Sequence, residues 1–158
     1  MNSAVQSGLK QSKPFASLAE KAGVALSRTA DEFNDRIAAF LKPYGISPTQ
    51  YNVLRILRGA GTQGRMCSEI GDRMVTRDPD VTRLLDRLEK AGWIERERDT
   101  KDRRVVITRI TRAGIALVNQ IDEPLDSFNR KEFGRLGNKK LRELIALLDE
   151  LRHSEAAG

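Results

Sequence analysis

Apolar residues recur at a helical period from Phe15 onward. Phe15, Leu18, Ala22, Leu26, Ala30, Phe33, Ile37 and Leu41 form one stripe along about seven turns. A stripe that long belongs either to a core helix or to a helix shared with a second subunit. Lys42-Pro-Tyr-Gly45 breaks it, and Ser47-Pro48 starts the next helix with a cap and a proline at the first position. Tyr51, Val53, Leu54 and Leu57 give that helix its buried face. Gly59–Gly64 reads as a loop, Arg65-Met66 as a short strand, Cys67–Met74 as a brief third helix and Val75–Arg77 as a turn.

The fourth helix has two unlike faces. Asp78 is the predicted N-cap, with Pro79 at the first helical position. Val81, Leu84, Leu85 and Leu88 make an aliphatic back; Arg83, Arg87 and Lys90 make a basic front, with Asp80 and Thr82 at its flanks. Gly92 is the expected stop. Trp93–Arg98 then alternates at period two, and Arg104–Ile110 is β-branched, so the two read as a hairpin with Asp99–Arg103 as its polar tip. Two short helices, the second basic on its outer face, followed by a charged hairpin, make a winged helix-turn-helix.

Thr111 caps a fifth helix carrying Ile115, Leu117, Val118, Ile121 and Leu125, with a kink expected at Pro124. Asn138 is expected to cap a sixth carrying Leu141, Leu144, Ile145, Leu148 and Leu151. The fold class is therefore mainly α with a small β-wing (α+β), a winged helix-turn-helix with N- and C-terminal dimerisation helices. Residues 1–14 lack periodicity and are expected to form a flexible arm. Residues 15–158 read as a single domain, with the winged helix-turn-helix at about 47–110 and the dimerisation helices at about 15–42 and 111–153.

Composition narrows the function more than the fold. Hydrophobic residues are 39% and charged residues 32% of 158, as in a soluble, helical protein. The net charge of +6 admits a polyanion as partner. The cationic excess is larger in residues 1–63 than in residues 64–109, so bulk charge does not locate a binding site; the direction of the arginines must. One Cys (Cys67) and one His (His153) cannot make a zinc cluster, and the glycines of Gly59–Gly64 lack the Lys-Ser/Thr of a phosphate-binding loop. No enzyme, cofactor or metal is expected. The absence of a signal peptide and of long apolar runs implies a cytoplasmic protein with no membrane association.

Each candidate residue also has a plain reading. Arg83 and Arg87 could be solvated side chains paired with Asp80 and Asp86. The wing's charges could merely blunt a sheet edge. Cys67 is expected to be a buried structural thiol, and His153 a solvated helix-end residue.

Three stretches bear a family likeness: Leu41-Lys-Pro-Tyr-Gly-Ile-Ser-Pro-Thr-Gln-Tyr-Asn-Val-Leu54, Val81-Thr-Arg-Leu-Leu-Asp-Arg-Leu-Glu-Lys90, and Asp99-Thr-Lys-Asp-Arg-Arg104 followed by Ile110-Thr-Arg-Ala-Gly114. From about Phe15 to His153 the chain resembles the MarR family of bacterial transcriptional regulators. The resemblance implies a homodimer whose first, fifth and sixth helices intertwine, a pseudo-palindromic double-stranded DNA operator, and repression released by a small-molecule effector. It implies base contacts at Asp80, Thr82, Arg83 and Arg87, with Arg77 just ahead of the helix. It also places Asp102, Arg103 and Arg104 on a wing whose arginine enters the minor groove while the aspartate steadies it. Recognition helices would then enter successive major grooves about 34 Å apart. The alternatives are a winged-helix interaction module that reads no DNA, and a redox-responsive regulator using Cys67.

Overall fold

The computed structural model describes residues 14–153; most of the expected N-terminal arm, residues 1–13, lies outside them. Among the described residues, six α-helices and a three-stranded antiparallel sheet follow in chain order: α1 (Leu18–Leu41), α2 (Pro48–Ala60), β1 (Arg65–Met66), α3 (Cys67–Arg73), α4 (Val81–Lys90), β2 (Ile94–Arg98), β3 (Val106–Ile110), α5 (Arg112–Phe133) and α6 (Gly137–His153). The sheet order is β1-β3-β2, with Thr108 of the central strand opposite both Arg65 and Arg96.

Local chemistry explains most of the boundaries. Ser47 and Gln50 form a reciprocal capping box at the start of α2, beside Pro48. Ser17 caps α1. At the end of α4, Trp93 N–H donates to the Leu88 carbonyl (3.1 Å) and Gly92 N–H to that of Glu89 (2.9 Å), with Gly92 at φ 77°. This is a Schellman stop, and it needs a residue that tolerates positive φ. The Thr-x-x-Gly step into α5 has a tertiary cause as well. Thr111 Oγ1 donates to the Gly92 carbonyl (2.7 Å) and accepts from Gly114 N–H (3.1 Å). A Cβ on Gly114 would collide with the Trp93 carbonyl, so only glycine lets α5 start against the root of the wing.

The core lies in the winged-helix head. Val53, Leu54 and Leu57 of α2, Ile70 of α3, Leu84, Leu85 and Leu88 of α4, and Ile94 of β2 pack together, joined by Leu41 of α1 and by Val118 and Ile121 of α5. Asn52 Oδ1 accepts from Val75 N–H (2.9 Å), which pins the turn between α3 and α4 to α2. Outside the head, α1 buries only Leu41 among its residues and α6 buries none. A contact between aromatic residues joins α1 to α5, where Phe33 meets Phe128 and Phe133.

Several expected details differ. The fourth helix begins at Val81 rather than at Pro79, because Asp80, not Asp78, is its cap. The hairpin strands start one and two residues later than expected, at Ile94 and Val106. Helix α6 starts at Gly137, so Asn138 lies in its first turn and not ahead of it.

Candidate nucleic-acid interface

The back of α4 is sealed: Leu84, Leu85 and Leu88 are at most 3% exposed. Its front is open. Thr82, Arg83, Arg87 and Lys90 are exposed, and the Arg83 side chain retains 76% of its accessible surface. Arg87 Nε donates to the Arg83 carbonyl at the long distance of 3.4 Å, and among the described residues no carboxylate forms an ion pair with it. Arg77 is exposed in the turn ahead of the helix.

The acidic residues at this end are structural. Asp78 Oδ1 accepts from Asp80 N–H (2.8 Å), folding the turn that carries Pro79. Asp80 Oδ1 then accepts from Arg83 N–H (3.0 Å), capping α4, while its other oxygen lies 3.5 Å from Arg83 Nε. Asp80 thus starts the helix and lies beside Arg83, with half of its side-chain surface still open. Of the plain reading of these arginines, the Arg83–Asp80 pair is present, whereas the Asp86 pair is not. Asp86 bonds Arg96 across to β2 instead, at 2.6 Å.

At the wing tip Asp102 Oδ1 accepts from Arg104 N–H (2.9 Å), its carbonyl accepts from Val105 N–H (2.9 Å), and Asp99 N–H donates to the Val105 carbonyl (2.9 Å). Asp102 thus shapes the tip through the backbone. The Arg103 and Arg104 side chains are exposed beside it. Cations set back from these two surfaces are tied to carboxylates: Arg96 to Glu89 and Asp86, Arg109 to Glu97, Arg58 to Asp122. An exposed guanidinium, even one with as distant a partner as Arg83 has in Asp80 (3.5 Å), can exchange water for phosphate or a base edge. It does so more readily than Arg58 or Arg96, which are paired at 2.5 and 2.6 Å.

Cys67 is half-buried at the start of α3, less covered than a core thiol would be, with Sγ 4.0 Å from Thr82 Oγ1. His153 is exposed, its Nδ1 2.7 Å from the Asp149 carbonyl.

Two features were not anticipated from sequence. The first is the Arg96 network. The second joins the head to the stem formed by α1, α5 and α6: Tyr51 Oη donates to Asp122 Oδ1 (3.1 Å), and Arg58 donates to Asp122 (2.5 and 3.3 Å) and to Asn119 (2.8 Å). Burial, aided by the Asp122 carboxylate, pushes the Tyr51 phenol up to about 12. The Arg58 guanidinium holds the Asp122 carboxyl below the usual carboxylate range. Beside them a cavity of about 440 Å³ opens between stem and head, lined by Ile37 of α1, Tyr51 and Arg55 of α2, Val75 of the turn, and Leu125 and Phe133 of α5. The only sequence signal for either network was a set of charges on otherwise apolar faces.

A model of the MarR family matches residues 46–106, the span from the start of α2 to the wing. The HTH-type transcriptional regulator MhqR of Bacillus subtilis is 33% identical over 98 residues, which cover 62% of this chain and 66% of MhqR. Among solved structures, a MarR transcription factor from Planctomyces limnophilus is 35% identical, with a TM-score of 0.66 over 86% of this chain and 98% of that one. The DNA complex of S. aureus MepR shares the fold at 22% identity, with a TM-score of 0.76 over 84% of this chain and 96% of that chain. No described helix is long and apolar enough to cross a membrane.

Proposed function

The chain belongs to the MarR family of transcriptional regulators, and from that premise we propose that it works as a homodimeric repressor that reads a pseudo-palindromic DNA operator. One observation carries the reading. The helix with a sealed aliphatic back presents an uncovered basic front, and the adjoining wing presents a second uncovered pair of arginines. Arg83 and Arg87, with Thr82, would contact base edges in the major groove, where a bidentate arginine distinguishes guanine. Arg77 and Lys90 would hold phosphates, setting position. Arg103 and Arg104, presented by the Asp102 turn, would enter the minor groove and sense its width.

The dimer rests on apolar surface that the single chain leaves open. Leu18 is 82% exposed, and Leu26, Leu144, Ile145 and Leu147 are also exposed on α1 and α6. A second chain laid against α1, α5 and α6 would cover it and place two heads on one duplex. The cavity between stem and head would take the small-molecule effector, because residues of both parts line it. A ligand there would move the heads relative to the stem, and the spacing of the two recognition helices with them.

The test is binding to duplex DNA from the region upstream of the chain's own gene. Arg83→Ala and Arg104→Ala should each weaken binding by about 1–3 kcal/mol, the former relaxing specificity at one base position. Unchanged affinity in both variants would refute the interface and favour an interaction module that reads no DNA.

A further inference from the structure

Arg96 of β2 makes three hydrogen bonds through its guanidinium to carboxylates of α4. Its backbone N–H donates to Glu89 Oε1 (3.2 Å) and its Nε to Glu89 Oε2 (3.0 Å). One terminal nitrogen donates both to Glu89 Oε2 (2.5 Å) and to Asp86 Oδ1 (2.6 Å). Asp86 and Glu89 lie three residues apart on α4, so one planar fork spans two neighbouring positions of that helix. The Arg96 side chain is only 23% exposed, which shields the bonds from water. The pairing also holds the Glu89 carboxyl below the usual carboxylate range, so it stays ionised and bonded.

The arrangement matters because of what lies on either side of it. Arg83 and Arg87 stand on the same helix as the two carboxylates, and Arg103 and Arg104 stand at the far end of the strand pair that Arg96 anchors. The sheet and the buried Ile94 hold the root of the hairpin, and a guanidinium bonded to two carboxylates on α4 ties it to the recognition helix as well. Non-specific attraction to phosphates depends on the number of charges, whereas specific binding depends on both readers meeting their grooves together.

We propose that Arg96 is a positioning residue for DNA recognition, clamping the root of the wing to the recognition helix and so fixing the separation of the major-groove and minor-groove arginines. The proposal rests on the DNA-reading assignment above. Arg96 itself touches no base. Its side chain is committed to Glu89 and Asp86, and its effect is transmitted through the place of the wing.

A double-mutant cycle tests it. The wild type, Arg104→Ala, Arg96→Met and the double variant are titrated with the upstream duplex and with a scrambled duplex of equal length. Arg104→Ala should cost about tenfold in operator affinity in the wild type but less than about twofold beside Arg96→Met, because a loose wing has already lost its registered contact. Binding to the scrambled duplex should change by less than about threefold when Arg96 alone is replaced. Arg96→Lys keeps the charge without the fork and should restore the coupling only in part. Equal losses from Arg104→Ala in both backgrounds overturn the clamp.

Should Arg96→Met fail to melt cooperatively, Asp86→Asn with Glu89→Gln releases the same clamp from the helix side. The proposal then predicts weaker discrimination and a diminished Arg104 effect. Tighter operator binding with an undiminished Arg104 effect would show that Arg96 acts through charge alone, and would overturn it. A silent Arg104→Ala beside a costly Arg83→Ala also overturns the clamp, since the wing then reads nothing. If both are silent in the wild type, the interface assignment fails and the clamp with it. The two failures are thereby distinguished.

Discussion

In α4, Leu84, Leu85 and Leu88 are at most 3% exposed; in α6, no residue is buried, and Ile145 and Leu147 stand 59% and 60% open. Both helices carry regular apolar stripes, so the difference lies in what each stripe has to pack against. The head closes its own core within one chain, drawing on α2, α3, α4 and β2. The stem does not, and the surface it leaves uncovered is the kind that a second subunit covers. The contrast separates two tasks. In the proposed dimer, reading would fall to the head, whose core closes within one chain, and assembly to the stem, whose apolar surface stays open.

The largest effect should come from the head. Leu85→Ala removes a fully buried side chain and should lower unfolding stability by about 2–5 kcal/mol, read as a lower urea midpoint. A loss below about 1 kcal/mol would mean that the head is not the rigid part. Ile145→Asp should leave the head's own packing intact yet weaken dimerisation by about 2 kcal/mol or more, visible as monomer in light scattering at micromolar concentration. A dimer as tight as the wild type would take α6 out of the interface. Thr111→Ala, at the junction of head and stem, deletes a helix cap and the bond to the Gly92 carbonyl. It should cost about 1 kcal/mol in thermal stability.

The smallest effect concerns pH. The Asp122 carboxyl, lowered by its bond to Arg58, gives a stabilisation that is present above the unfolded carboxylate range. It is lost as pH falls through the depressed folded value. Because Asp122 is partly exposed, the contribution is modest. Asp122→Asn should flatten the acid limb of a stability-against-pH curve, and an unchanged limb would remove this link between head and stem from the account.

How much of this could be read in the sequence follows from the range of each interaction. The helical stripes, the Ser47 cap, the Gly92 stop and the Thr111 cap involve residues within one or two turns of each other, and periodicity reveals such features. The helix-turn-helix with its hairpin was legible for the same reason. The N-terminus of α4 was harder. Asp78 and Asp80 are both good caps, and only the three-dimensional turn decides that Asp80 caps the helix while Asp78 folds the turn ahead of it. The Asp86–Arg96 bond joins residues ten apart across the Gly92 turn, beyond the i, i+3 and i, i+4 spacings that a helix periodicity displays. Cys67 looked like a core thiol because small thiols are usually buried. Its place at the edge of α3, next to Thr82, leaves it half-covered. The Tyr51–Arg58–Asp122 link spans more than sixty residues and leaves no periodic trace.

The central claim is that two heads, joined by one shared stem, read a duplex through uncovered arginines. It is tested most directly by titrating the upstream duplex at several salt concentrations while counting the chains bound. The account predicts two chains per duplex and an affinity that falls steeply, by orders of magnitude, between about 50 and 200 mM salt. A single bound chain, or an affinity indifferent to salt, would contradict it.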